Sequence, residues 1–206
     1  MKLTNRWNRF VYRLWAPVYD AALERFFHPG RLAALRMLGL RAGERVLLVG
    51  VGTGADLPLL PEGVEAVGID LSPDMLRRAG AKLPLPGRRV TLLQGDAQEL
   101  LVPEASFDAV VLNLILSVVP DGSACLHAAA LALKPGGRMV VFDKFLPDRG
   151  RPSLLRRLLN GFSTLFGTDI NRRFAEISRG CGCVILAEEP SLLGGMYRVI
   201  LLQRTA

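Results

Sequence analysis

Three glycines at alternate positions, Gly50, Gly52 and Gly54, close the apolar run 46–49. A buried parallel strand that turns tightly into a helix has this pattern. Bare backbone at such a turn lets a ligand approach where a Cβ would block it. A second apolar run, 64–69, ends at Asp70, twenty residues after Gly50. A carboxylate at a strand tip can accept hydrogen bonds from both hydroxyls of a ribose. A third run, 89–94, ends in Gly95-Asp96-Ala97 and sets another polar tip beside the first two. Together these residues suit the holding of an adenosine.

The elements that must position them alternate from Arg45 onward. Strands are expected at 46–49, 64–69, 90–94, 107–112 and 138–142. A helix should begin near Asp56, with Pro58 delaying its regular part. Ser72-Pro73-Asp74 has the features of a helix start: a capping hydroxyl, a proline for the first turn and an acid for the positive end. That helix should run to about Leu83. Another is expected at about 123–133, closed by Lys134-Pro-Gly-Gly137. Beyond it come an unusually apolar helical stretch, 153–167, and a shorter helix near 172–179. The runs 183–189 and 196–203 are joined by so short a link that they must pair antiparallel. The expected architecture is α/β. It is a doubly wound, Rossmann-like, mostly parallel seven-stranded sheet with an antiparallel last strand and an N-terminal helical cap. Residues 1–35 would form the cap and 36–206 the main domain.

Composition narrows the partners. With 206 residues, 50% of them hydrophobic and 22% charged, the chain suits one domain with an ordinary core. The net charge is +7 and the pI about 9.9. That balance suits nucleic acid, anionic lipid or a phosphorylated substrate, or it reflects an arginine-favouring composition. Cys125, Cys181 and Cys183 have no metal-ligand spacing, and their odd number points to reduced thiols. No metal site is expected. The histidines, His28 and His127, lie at no expected strand tip. No apolar run approaches the ~20 residues that span a bilayer. Arg6, Arg9 and Arg13 interrupt any signal-peptide core.

At the N-terminus, Leu3, Trp7, Phe10, Val11, Leu14, Trp15 and Val18 share one helical stripe, while Lys2, Arg6, Arg9 and Arg13 lie off it. A basic helix with two tryptophans on its apolar face suits a membrane interface. A cap that packs its aromatics over the site has the same pattern, and both readings stand.

From about Leu40 to Gln203, these motifs resemble the class I S-adenosylmethionine-dependent methyltransferases. Gly50-Val-Gly52-Thr-Gly54 is similar to the first motif, beside the methionine part of the cofactor. Asp70, followed by Leu71, is similar to the acidic ribose ligand, and Asp96-Ala97 to the adenine contact. Phe107-Asp108 and Leu133-Lys-Pro-Gly-Gly137 are similar to the fourth-strand entry and the turn before the fifth strand. The family often has an acid two residues before the first glycine, where this chain has Leu48. Asp56 is one candidate replacement; a helix N-cap is its other reading. A dinucleotide dehydrogenase would need G-x-G-x-x-G, and position 55 is Ala.

The resemblance implies S-adenosyl-L-methionine as cofactor, bound by Gly50, Gly52, Gly54, Asp70, Leu71, Asp96, Ala97 and Asn113. Trp15-Ala-Pro-Val-Tyr19-Asp20 resembles small bacterial phospholipid N-methyltransferases and the ubiquinone and menaquinone C-methyltransferases. By that likeness Tyr19 faces the cofactor or the acceptor amine. Tyr19 and Asp143 are the candidate catalytic residues. Tyr12, Trp15, Lys144 and Arg172 are candidates for the substrate. Packing of Tyr19 between helix and sheet, and a solvated arginine rim, are the alternatives. Arginines around 149–173 suit lipid phosphate by charge and fork geometry. The expected reaction is methylation of the head-group amine of phosphatidylethanolamine and its methylated forms, on an anionic membrane surface. The protein would be cytoplasmic and peripheral to the membrane face, with no nucleic acid and no obligate protein partner. A quinone-ring C-methyltransferase is the alternative, an RNA methyltransferase a more distant one, and a cofactor-binding protein without turnover remains open. Asn113 is followed by Leu-Ile-Leu, which suits an apolar acceptor better than a base.

Overall fold

The computed structural model describes residues 24–146 and 172–205. The expected N-terminal stripe (residues 1–23) and the apolar stretch 153–167 lie outside them. Helix α1 covers 24–38. After it come β1 (Arg45–Val49), β2 (Glu65–Asp70), α2 (Pro73–Gly80), β3 (Arg89–Gln94) and β4 (Phe107–Asn113). The chain continues with α3 (Gly122–Ala132), β5 (Leu133–Lys144), α4 (Phe174–Ile177), β6 (Cys183–Pro190) and β7 (Tyr197–Arg204). The seven strands form one sheet in the order β3-β2-β1-β4-β5-β7-β6. Strands β1 to β5 are parallel, and β7 runs antiparallel to both β5 and β6.

Strand β1 shows why the sheet is covered on both sides. Its sequence, Arg-Val-Leu-Leu-Val, has no polar alternation after the first residue. Leu47 and Val49 join one core with α3 and α4, whereas Val46 and Leu48 join a second with α1 and α2. Continuous apolar runs are the signature of a sheet buried on both faces.

One expected element is absent. The stretch after the glycines is a single 3-10 turn, Leu57–Leu59, not an α-helix. Pro58 lies within it and Pro61 follows shortly after it. Leu60, just before Pro61, is extended with ψ 144°, as steric clash with a following proline ring demands. By contrast, Ser72 caps α2 as expected by accepting from the Met75 N–H at 3.4 Å, with Pro73 in the first turn.

Helix α1 is fixed at its C-terminal end and in its middle. At its C-terminal end, Arg138 on β5 donates to the carbonyls of Leu38 (2.7 Å) and Gly39 (2.8 Å) and forks onto Glu44 at 2.9 and 3.0 Å. A guanidinium there satisfies helix carbonyls that have no partner in the helix itself. In the middle of α1, Gly30 lies flat on the ring of Phe142. A Cβ at that position would sit 2.1 Å from Phe142 Cζ, and Phe142 is wholly buried. Gly30→Ala is therefore expected to lower folding stability by about 1–3 kcal/mol, the usual cost of overpacking a closed core. Arg36→Ala on the exposed face of α1 is the control. Thermal unfolding of the two variants checks this, and equal midpoints would contradict the contact.

Candidate active site

The parallel order β3-β2-β1-β4 brings four strand tips to one edge. Asp96, Asp70, the glycine loop and Asn113 meet there, at the end where ligands bind in open α/β sheets. Backbone bonds lace the tips together. Val51 N–H donates to the Ile69 carbonyl at 2.9 Å, and Gly95 N–H to the Asp70 carbonyl at 3.1 Å.

Gly50, Gly52 and Gly54 all have left-handed backbones, with φ of +70°, +56° and +77°. They play different parts. A Cβ on Gly50 would lie 2.6 Å from Ile115 Cδ1, and one on Gly54 would lie 2.9 Å from Leu57 Cδ1 and 3.1 Å from Ala79. Those two let elements pack. At Gly52 the nearest atom would be the Gly50 carbonyl oxygen at 4.0 Å, so open space adjoins the backbone there.

Asp70 holds this loop. Its Oδ2 accepts from the Gly52 N–H at 2.8 Å and its Oδ1 from the Ser72 N–H at 2.9 Å. Each oxygen keeps a lone pair for a further donor. Burial pushes the Asp70 carboxyl above its ordinary value, and these amide bonds offset only part of that. Leu71 beside it is partly exposed. On the next tip, Asp96 Oδ1 accepts from the Gln98 backbone N–H at 2.9 Å and from Gln98 Nε2 at 3.0 Å, and Ala97 is buried.

At the β4 tip, Asn113 Nδ2 donates to Asp56 Oδ1 at 2.9 Å, and Arg31 Nη1 from α1 donates to Asp56 Oδ2 at 2.6 Å. Asp56 and Asn113 are each only 4% exposed. Asp56 stands at the N-cap position of the 3-10 turn but makes no capping bond, so the N-cap reading is corrected. Its carboxylate is held instead by a cation 25 residues back in the chain. Leu48 belongs to the apolar cluster on the α1 side of the sheet. Asp56 thus supplies a carboxylate on that side of the sheet, where the chain has a leucine at position 48.

Two sequence-based assignments are corrected by burial and hydrogen bonding. Asp143 is 0% exposed; its Oδ2 accepts from the Ser117 N–H and its Oδ1 from the Lys144 N–H, at 2.9 and 2.8 Å. It clamps the turn after β4 to β5 and presents no oxygen to a cleft, so it is not a catalytic group here. The guanidinium of Arg172 donates to the carbonyls of Leu116, Val119 (2.6 Å) and Pro120 (3.1 Å). It braces that same turn rather than offering its fork to a phosphate. Lys144 remains at the β5 tip, with Nζ 5.9 Å from the centre of the Tyr197 ring. Tyr12, Trp15 and Tyr19 lie outside the described residues. Among the described residues, no cluster of three or more His, Cys, Asp or Glu could hold a metal ion, and no helix is long and apolar enough to cross a membrane.

Arg31 carries no sequence signal of its own, because its partner lies far along the chain. The displaced acid was the available hint: a buried Asp56 needs a cation or several donors.

The residues present fit an adenosyl group with an amino-acid tail. Bare backbone opens at Gly52, Asp70 has spare acceptor capacity, and the Asn113 Oδ1 is buried without a partner.

Comparison with known proteins agrees. A methyltransferase-domain family model matches residues 47–141. Phosphatidylethanolamine N-methyltransferase of Cereibacter sphaeroides is 31% identical over 195 residues, which are 94% of this chain and 95% of that enzyme. Demethylmenaquinone methyltransferase of Tropheryma whipplei is 42% identical over 122 residues, 58% of this chain but 49% of that enzyme. Among solved structures, a chain of the complex between the Haloferax volcanii Trm112 methyltransferase activator and its methyltransferase superposes with a TM-score of 0.77 at 18% identity, over 95% of this chain and 98% of that one. An S-adenosylmethionine-dependent methyltransferase of Mesorhizobium loti superposes with a TM-score of 0.64 at 23% identity, over 85% and 98%. The fold and the site thus define a class: Rossmann-like enzymes that hold an adenosyl group across their strand tips. The chain belongs to the S-adenosylmethionine-dependent methyltransferases.

Proposed function

We propose that this methyltransferase modifies the head-group amine of phosphatidylethanolamine and its methylated forms at a membrane surface. One observation carries the choice. The phospholipid relative aligns over nearly the whole of both chains. The quinone enzymes, though as similar or more so in the shared core, align over only about half to two thirds of theirs. Acceptor specificity in this fold is set by what surrounds the common sheet, so end-to-end similarity weighs more than core identity.

S-adenosylmethionine supplies a methyl group on a sulfonium, already activated for displacement. The chain's own residues then have three tasks. The loop at Gly52, with Asp70, Asp96 and Asn113, holds and orients the adenosyl moiety. The acceptor nitrogen must be aligned behind the methyl, and such alignment contributes about 7–11 kcal/mol to barrier lowering. The ammonium of the head group must also lose its proton before attack. Tyr19 is the proposed residue at that nitrogen. Lys144, and the arginines at 149, 151, 156, 157 and 173, are the proposed cations for the lipid phosphate. In this reading the basic, tryptophan-bearing segment 1–18 rests on the cytoplasmic face of an anionic membrane.

The quinone reading rests on the 42% identity to demethylmenaquinone methyltransferase. One assay separates the two. The purified protein is incubated with methyl-labelled S-adenosylmethionine and either phosphatidylethanolamine vesicles or vesicles carrying demethylmenaquinone. Label in mono- and dimethylated phosphatidylethanolamine is the expected result. Label only in the quinone would overturn it.

A further inference from the structure

We propose that Cys181 and Cys183 form a reactive dithiol that a hydroperoxide converts to an intramolecular disulfide, a modification site at the end of the sheet opposite the strand tips. Cys183 opens β6 and pairs in register with Arg204, the last residue of β7. Tyr197, at the other end of β7, pairs with Lys144 at the β5 tip. The dithiol thus stands the length of β7 away from the β5 tip, and no task of methyl transfer draws on it.

Local geometry brings the two sulfurs together. The chain bends at Cys181 and Gly182 before β6 begins, and Gly182 takes a φ of +69°. The α-carbons of residues two apart lie at most about 7 Å from each other, and a bend draws them into the about 4.4–6.8 Å that a disulfide spans. Hydrogen bonds hold the bend. Cys181 N–H donates to the Ser178 carbonyl at 3.2 Å, and Thr205 donates to the Gly182 carbonyl from its N–H and from its hydroxyl, each at 2.9 Å. Both side chains turn to the same face of the sheet: Cys181 belongs to the apolar cluster on the α3 side, and Cys183 packs against it. A hydrogen bond from the Cys183 thiol holds the Cys181 thiol below its ordinary value, against the effect of burial, and His127 on α3 adds to this by charge. Cys183 keeps the proton, and the same bond raises it. Gly182 is exposed and Cys183 half-buried, so a small oxidant has a short path. Cys125 is the contrast: it is 0% exposed, and burial pushes its thiol up.

With hydrogen peroxide the steps balance. The Cys181 thiolate attacks one oxygen, the O–O bond breaks, and hydroxide leaves a sulfenic acid behind. The Cys183 thiol then attacks that sulfur. The S–S bond forms, the S–O bond breaks, and the hydroxyl leaves as water with the Cys183 proton. Two thiols have lost two electrons and the peroxide has gained them.

The test is chemical mapping. The purified protein is treated at pH 7 with a few equivalents of hydrogen peroxide, unfolded, alkylated and read by mass spectrometry. A peptide bridged between Cys181 and Cys183, lighter by two hydrogens and restored by dithiothreitol, is the expected product, with Cys125 recovered alkylated. The pair should be consumed at least about tenfold faster than Cys125, because the thiolate is the nucleophile. In Cys183→Ser the hydroxyl still donates to Cys181, so oxidation should stop at a Cys181 sulfenic acid that dimedone traps. In Cys181→Ser the reaction at Cys183 should slow about tenfold. If Cys181 and Cys183 survive as long as Cys125, or if their disulfides join separate chains, the inference is wrong.

Discussion

Replacing Asp70 by alanine is expected to weaken S-adenosylhomocysteine binding by more than about 100-fold. The ribose would offer two hydroxyl donors to this carboxylate, and hydrogen bonds to a charged group contribute about 1.5–3 kcal/mol each. The same side chain pins Gly52, the one loop glycine beside open space. Its removal therefore loses both direct contacts and the preformed loop. Titration of wild type and variant by calorimetry measures the ratio, and a change below about threefold would remove Asp70 from the site. Acid adds a second signature. Burial raises the folded Asp70 carboxyl above 3.8, and the ribose needs the ionised form. Affinity should be constant at neutral pH and fall as pH drops through that raised value, before ordinary carboxylates titrate. The folding contribution has the opposite sign. The folded state holds this proton more tightly, so between the raised value and 3.8 this group alone favours folding as pH falls. Asp70→Asn should flatten the binding profile.

The second large effect concerns the proposed membrane surface. Serine at positions 6, 9 and 13 in place of arginine should reduce co-sedimentation with vesicles rich in anionic phospholipid by about 100-fold. Each basic residue near such a surface contributes about 1 kcal/mol, so three amount to roughly 3 kcal/mol. Raising the salt should weaken the wild-type interaction in the same direction, because the attraction is screened beyond a Debye length. Trp7 and Trp15 are retained in this variant, so the experiment isolates charge from apolar insertion. Indifference of the wild-type protein to anionic and neutral vesicles alike would refute the interfacial reading.

The cofactor half of the site was legible because it uses backbone and strand tips. A glycine triplet after an apolar run, and a carboxylate one strand further on, are local patterns whose geometry the parallel sheet enforces. Even the departure at Leu48 pointed to Asp56, which the structure places in a buried ion pair on the α1 side of the sheet. What sequence could not convey was which polar residues are already engaged by the fold. Asp143 and Arg172 have the right chemistry for a catalytic acid and a phosphate ligand. Backbone groups of the turn 116–120, and the Lys144 amide beside Asp143, engage them instead. A carboxylate at a strand tip reads the same in sequence whether it points into a cleft or into main chain. The helix expected after the glycines failed for a plainer reason: two prolines three residues apart leave room for one tight turn.

Strand β7 follows β6 in the chain yet lies between β5 and β6 in the sheet. During synthesis, the edge of β5 that pairs with β7, Arg138 to Lys144, stays bare until residues as far as Arg204 have emerged. Until then the nascent chain presents an unpaired, apolar template for foreign strands, the kind of edge that invites aggregation. Early termination before Tyr197 would therefore remove an interior plank of the sheet rather than trim its margin, and it would turn the product toward inclusion bodies. Chaperone dependence of expression should track that window.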